Sequence, residues 1–277
     1  MAGGSGTRLW PASNSKRPKQ FLPITRGKSE TFFSLSLERA LRIIDDSGRV
    51  IIITGKSHLP FVINECSTLG LADKKRLLLI PEPEAKNTAP AIACAIAYSC
   101  KTGSQNNSML VLTSDHIIKP IEVFSENSAT AADFTMRDRL VVFGISPSRP
   151  ETGYGYIKAG KELAHGVRTV DAFLEKPDRK TAEKLTSSRL FFWNSGMFAF
   201  SCDFMKEEFQ QHAAKVIRPF ERLHAPDEKA YKKTKGVEVL DNWAGLEKAY
   251  HQTENISFDN AIAEKCACTV MVQAAFD

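Results

Sequence analysis

The chain has 277 residues, 43% of them hydrophobic and 25% charged, with a formal net charge of +5. That length suits one large α/β domain with a buried core, and no apolar run approaches the roughly 20 residues of a membrane span. Lys and Arg are scattered rather than blocked, which argues against nucleic acid, and the six cysteines form no C-x-x-C or zinc spacing. The N-terminus carries no signal-peptide pattern, so a cytoplasmic location is expected.

Apolar spacing predicts a helix over Ser29–Asp45, with a serine cap. Val50–Thr54 is a continuous apolar run, the pattern of a strand buried on both faces. A helix over His58–Gly70 follows, then a second buried strand at Leu77–Ile80. Thr88–Cys100 is alanine-rich and helical. Met109–Thr113 is a third strand, Glu122–Ala132 a helix and Leu140–Ile145 a fourth strand. This alternation predicts a parallel, doubly wound sheet, in which ligands sit at the carboxyl ends of the strands. Beyond Ile145 the pattern is mixed. Strands are expected at Tyr156–Ala159, Thr169–Leu174, Met197–Phe200 and Cys268–Val272. Helices are expected at Lys180–Ser187, Asp203–His212, Asp227–Lys235 and Trp243–Tyr250. No linker or repeat interrupts the chain, so it reads as one domain with halves at about 1–145 and 146–277.

The first twenty-two residues carry the strongest chemical signal. Gly3, Gly4 and Gly6 let backbone N–H groups approach a ligand closely, and Ser5 and Thr7 lie among them. Consecutive N–H groups in such a turn form a concave nest for anions. Arg8 adds a guanidinium fork and Lys19 a mobile point charge. The stretch reads as a polyphosphate cradle. It is neither the dinucleotide pattern G-x-G-x-x-G nor the P-loop pattern.

Gly-Gly-x-Gly-Thr-Arg-Leu-Trp-Pro, followed by Arg17-Pro-Lys-Gln-Phe-Leu22, resembles the sugar-1-phosphate nucleotidylyltransferases, and within them the mannose-1-phosphate guanylyltransferase branch. Further patches are similar over most of the chain: Asn87-Thr-Ala-Pro90, Phe173-Leu-Glu-Lys-Pro177, Asn194-Ser-Gly-Met-Phe198 and Ser257-Phe-Asp-Asn260. The resemblance implies a Rossmann-like α/β fold of the nucleotide-diphospho-sugar transferase type, its mixed and mainly parallel sheet flanked by helices. It implies a nucleotide half and a sugar half. It also implies a strand upstream of Gly3 and a Trp-x-Asp-x-Gly segment beyond Asp277, so the chain is expected to be truncated at both ends.

The implied site divides in two. Gly3, Gly4, Ser5, Gly6, Thr7, Arg8, Asn87 and Ser114 would hold the nucleotide, with Arg8, Lys19 and Asp115 catalytic. Asp115, after the third strand, would hold Mg²⁺, a hard cation that takes carboxylate and phosphate oxygens. Its bland alternative is a turn cap. Asn87 reads equally as a helix cap or a contact to the base. Gly153, Glu175, Lys176 and Asn194 would hold the sugar phosphate, with Gly153 allowing close approach. His116 reads as structural.

The implied reaction joins GTP and mannose 1-phosphate to give GDP-mannose and diphosphate. A sugar 1-phosphate, with a second pKa of about 6, needs no general base. Catalysis is then charge neutralisation and in-line alignment. Two alternatives stay open: an inactive fragment or regulatory homologue that binds nucleotide, and a transferase for another pair such as dTTP and glucose 1-phosphate. A homodimer is compatible with the sequence.

Overall fold

The computed structural model describes residues 1–2, 13, 18–24, 30–104 and 106–276. In chain order its elements are α1 (Phe32–Ile43), β1 (Val50–Gly55), α2 (Leu59–Ser67), α3 (Leu71–Lys75), β2 (Leu77–Glu82), α4 (Thr88–Lys101), β3 (Ser108–Val111), α5 (Ile121–Thr135) and β4 (Leu140–Ile145). Then come β5 (Tyr156–Ala164), β6 (Val167–Leu174), α6 (Arg179–Thr186), β7 (Phe191–Ser201), α7 (Cys202–His212), α8 (Ala214–Glu221), β8 (Tyr231–Thr234), β9 (Val237–Leu240), α9 (Leu246–Gln252) and β10 (Thr269–Gln273). The α/β class is as expected. Two compact units form: 1–105, 112–117 and 209–258 in one, and 106–111, 118–208 and 259–277 in the other. Their limits do not follow a single division near residue 145.

The first unit holds a four-stranded sheet in the order β1-β2-β9-β8. β1, β2 and β9 are parallel, with Ile52 opposite Leu79 and Leu79 opposite Val239. All six residues of β2 are buried, which is why its sequence is a continuous apolar run rather than an alternation. The N-terminal residues hydrogen-bond to β1 and to the segment after β3. Ala2 N–H donates to Ile53 O at 2.9 Å, and the Met1 amine donates to Leu112 O at 2.8 Å. α1 begins with a capping box: Thr31 Oγ1 accepts from Ser34 N–H, and Ser34 Oγ accepts from Thr31 N–H. Its Phe33 and Leu37 join Phe21, Ile52, Val62, Leu77 and Val237 in one apolar core. α4 is buried from Ala89 to Ser99, and its alanines let it lie close to its neighbours.

The second unit holds a six-stranded sheet in the order β3-β7-β4-β10-β6-β5, with β5 also paired to β7. Among the described residues, the β4–β10 pairing is the one parallel pairing of this sheet. β3 is antiparallel to β7, with Val111 opposite Phe198. Tyr156, Ala182, Leu185 and Trp193 form a buried cluster where α6 covers this sheet.

The mixed sheet therefore carries a larger antiparallel share than the strand–helix alternation predicts. The region 227–235, expected to be helical, is a 3₁₀ turn followed by β8. Lys235 and Gly236 both have positive φ, 50° and 85°. Two such residues form the turn whose twist suits a two-residue hairpin, and β8 pairs with β9 across it, Thr234 opposite Val237. The expected strand at Met197–Phe200 is the second half of the longer β7, which also carries Asn194.

Candidate active site

In the first unit, Lys19 sits on a 3₁₀ turn, Lys19–Phe21. Its neighbours fix that turn. Gln20 is buried and donates Nε2 to Ala2 O at 3.2 Å, an oxygen that Thr54 Oγ1 also reaches at 3.0 Å. The Phe21 ring stacks on Phe61 with centroids 5.4 Å apart and tilts against Phe33 at 5.5 Å. With Gln20 and Phe21 turned inward, Lys19 Nζ reaches Asp115 Oδ2 at 2.9 Å.

Asp115 lies on the segment after β3. α1 pins that segment from one side: Ser36 Oγ donates to Thr113 O at 2.9 Å, and Arg39 Nη1 reaches His116 O at 3.5 Å. Arg39 is almost fully buried, and burial lowers its guanidinium to about 10. Burial pushes the Asp115 carboxyl upward. The Lys19 hydrogen bond and the charges of His116 and Lys19 outweigh that, so its pKa falls below the ordinary value. His116 Nε2 lies 3.9 Å from Asp115 Oδ1, and burial holds the imidazole below its ordinary value. Ser114 is buried.

Gly3, Gly4, Ser5, Gly6, Thr7 and Arg8 lie outside the described residues. Asn87 caps α4: its Oδ1 accepts from Thr88 N–H at 2.9 Å, and its φ is +66°. Thr88 Oγ1 then accepts from Phe258 N–H at 2.8 Å, which ties the start of α4 to residue 258.

Among the described residues no three His, Cys, Asp or Glu side chains gather at a metal-binding distance. Asp115 offers one partly exposed carboxylate, with one oxygen already facing an ammonium. That donor set fits magnesium, which keeps several waters and takes one or two carboxylates together with substrate phosphates. It does not make an all-protein cage.

In the second unit, Gly153, Glu175, Lys176 and Asn194 occupy the loops and strands around β5 and β7. Asn194 N–H donates to Gly155 O at 2.8 Å, and Asn194 Nδ2 donates to Asp259 Oδ1 at 2.7 Å. Lys176, at φ +45°, pairs with its neighbour Glu175. Within the protein it is Gly155, rather than Gly153, whose backbone lies close against Glu175 and Asn194. A Cβ on Gly155 would stand 2.7 Å from Glu175 Oε2 and 3.6 Å from Asn194 Cβ, whereas one on Gly153 would meet only Glu151 Oε1 at 3.4 Å. Gly153 is exposed and caps Glu151, its N–H reaching Oε1 at 3.1 Å.

The family model for nucleotidyl transferases matches residues 1–245. The chain belongs to the nucleotidyl transferase family. An Escherichia coli mannose-1-phosphate guanylyltransferase is 36% identical over 223 residues, which cover 79% of this nucleotidyl transferase and 47% of that protein. The alginate biosynthesis protein AlgA of Pseudomonas aeruginosa is 37% identical over 78% of this chain and 44% of its own. The chain thus spans about half the length of the curated relatives it matches. A Thermus thermophilus structure, described as a mannose-1-phosphate geranyltransferase, superposes with a TM-score of 0.81 at 29% identity. It covers all of this chain and 73% of that one. A Helicobacter pylori structure described as a mannose-6-phosphate isomerase gives 0.75 at 26% identity, over 94% and 95% of the two chains. The two structures are named for different activities, so they carry the fold rather than the reaction.

Three contributors had no role assigned from sequence. Asp259 stood in a recognised segment, Ser257-Phe-Asp-Asn260, without a chemical task. Gly155 was one of two glycines in the same turn. The Ser36–Arg39 pair, three residues apart on α1, carried no signal beyond two polar residues on an otherwise amphipathic helix.

Proposed function

We propose that this nucleotidyl transferase moves GMP from GTP to α-D-mannose 1-phosphate, giving GDP-mannose and diphosphate. The observation that carries the reading is the Lys19–Asp115 pair at 2.9 Å, in a chain whose similar relatives include a mannose-1-phosphate guanylyltransferase. An ammonium and a carboxylate held together by buried neighbours suit a triphosphate with its magnesium: the ammonium takes phosphate oxygens, the carboxylate takes the metal.

The sugar phosphate oxygen attacks the α-phosphorus of GTP. The bond from that phosphorus to the bridging oxygen breaks, and diphosphate leaves. No proton has to be removed from the attacking dianion, so no general base is required. Lys19 would balance charge on the departing diphosphate, with Arg8 and the backbone of Gly3, Gly4, Ser5, Gly6 and Thr7 along the phosphates. Ser114 and Asn87 would lie along the nucleotide. Asp115 would hold magnesium, which supplies charge neutralisation on the phosphates when bound. Glu175, Lys176 and Asn194 would hold the mannose 1-phosphate. A cytoplasmic setting agrees with the substrates, and no helix is long and apolar enough to cross a membrane among the described residues.

The test is a diphosphate-release assay with GTP, mannose 1-phosphate and Mg²⁺, with dTTP and glucose 1-phosphate as competitors. GDP-mannose as the favoured product supports the reading. Preference for dTTP or glucose 1-phosphate moves it to another branch of the family. Nucleotide binding without turnover favours a regulatory role.

A further inference from the structure

Both ends of the Asn194 carboxamide are engaged within the second unit. Oδ1 accepts from the Gly196 N–H at 3.1 Å, and Nδ2 donates to Asp259 Oδ1 at 2.7 Å. An asparagine side chain has two N–H donors and an oxygen with two lone pairs. Among the described residues, one N–H and one lone pair therefore remain. The two contacts select the same rotation of the amide, because an acceptor meets Nδ2 and a donor meets Oδ1.

Asp259 opens a π-helical turn, Asp259–Ala263, a rare feature that is frequent at functional sites. Burial and the negative charge of Glu175 both push its carboxyl above the ordinary value, while the Asn194 hydrogen bond opposes them. A carboxyl kept half-buried beside a second carboxylate is costly unless its hydrogen bond serves a purpose. Gly155, whose missing side chain leaves room for Glu175 and Asn194, brings the backbone against both.

We propose that Asp259 is a positioning residue for Asn194: it sets the amide so that the remaining N–H and lone pair read neighbouring hydroxyls of a hexose 1-phosphate. The proposal rests on the reading of this unit as the holder of the sugar phosphate. Asp259 acts through Asn194 and need not touch the sugar. Its loss leaves the amide held at one end only, by the Gly196 N–H, which weakens hexose affinity and blurs discrimination between epimers without disturbing the nucleotide.

The experiment is calorimetric titration of the full chain with GDP, GDP-mannose and GDP-glucose. Asp259→Ala is expected to weaken GDP-mannose binding by about tenfold or more, to lower the preference for GDP-mannose over GDP-glucose, and to leave GDP affinity within about twofold. Asp259→Asn keeps an oxygen acceptor of the same size and recovers most of the affinity. Asp259→Glu, displaced by one methylene, lowers the epimer preference several-fold and serves where Asp259→Ala does not fold. Unchanged GDP-mannose affinity in Asp259→Ala, an unchanged epimer preference in Asp259→Glu, or equal weakening of GDP and GDP-mannose overturns the proposal. A wild-type chain that binds GDP but gains nothing from the mannose overturns the sugar reading and this proposal with it. A wild-type chain that does gain from the mannose, beside an unaffected Asp259→Ala, overturns this proposal alone.

Discussion

Lys19 Nζ meets Asp115 Oδ2 at 2.9 Å across a sequence separation of 96 residues. Neither side chain is deeply buried, yet both are aimed by buried neighbours: Gln20 and Phe21 for the lysine, Ser36 and Arg39 for the segment bearing the aspartate. The pair holds the Asp115 carboxyl below its ordinary value of 3.8 against the upward push of burial. A depressed carboxyl contributes stability above the unfolded pKa and loses it as pH falls through the folded one. Wild-type thermal stability is expected to drop below about pH 4, and Asp115→Asn is expected to flatten that part of the profile. Lys19→Met should raise the Asp115 pKa in a carbon-detected NMR titration. An unmoved Asp115 resonance would remove the electrostatic link.

Glu82 behaves in the opposite sense. It is buried at the end of β2, accepts from Tyr250 Oη at 3.2 Å, and burial raises it to about 7. A raised carboxyl contributes stability below its unfolded value of 4.5, and that stability is lost as pH climbs through about 7. Glu82→Gln is therefore expected to gain on the wild type by roughly 2–3 kcal/mol at alkaline pH and to match it near pH 4. Parallel denaturation curves for the two proteins at every pH would show that Glu82 is not the group responsible.

The two glycines of the 150s turn should separate cleanly. Gly155→Ala puts a methyl 2.7 Å from Glu175 Oε2, and the carboxylate must move. Hexose affinity is expected to fall several-fold with little change in nucleotide affinity. Gly153→Ala meets only Glu151 Oε1 at 3.4 Å and should be close to neutral. Equal behaviour of the two variants would contradict the assignment of close approach to Gly155.

Ser36 donates to Thr113 O from a buried position on α1. Ser36→Ala leaves that carbonyl short of a partner, at about 1–3 kcal/mol. If the clamp also aims Asp115, the variant should need more Mg²⁺ for half-maximal turnover at unchanged KM for the sugar phosphate. Reduced stability with an unaltered Mg²⁺ dependence would confine Ser36 to a folding role.

The parts of the fold visible in the sequence were those with strong local signals. β1 and β2 are continuous apolar runs because both faces are covered, and α4 is an alanine-rich helix opened by Asn87. The hairpin at Lys235-Gly236 was missed because β8 is short and lysine-rich, as edge strands often are, and four residues give no reliable period. β3 follows a helix and looks like the next parallel strand, but strand direction depends on distant β7, which local spacing does not encode. The site followed the same rule. Lys19 and Asp115 were legible from their motifs. The Asn194–Asp259 hydrogen bond joins residues 65 apart, and only the tertiary arrangement shows it. Arg8 and the glycine stretch lie outside the described residues, so their role rests on the sequence.

The most direct measurement is a double-mutant cycle on kcat/KM for GTP with Lys19→Met, Asp115→Asn and the double variant. If the two side chains act as one unit on the triphosphate, each single change lowers kcat/KM by about 100-fold or more, and the double variant is little worse than either. Losses that multiply in the double variant, or single variants with wild-type turnover, would contradict the account.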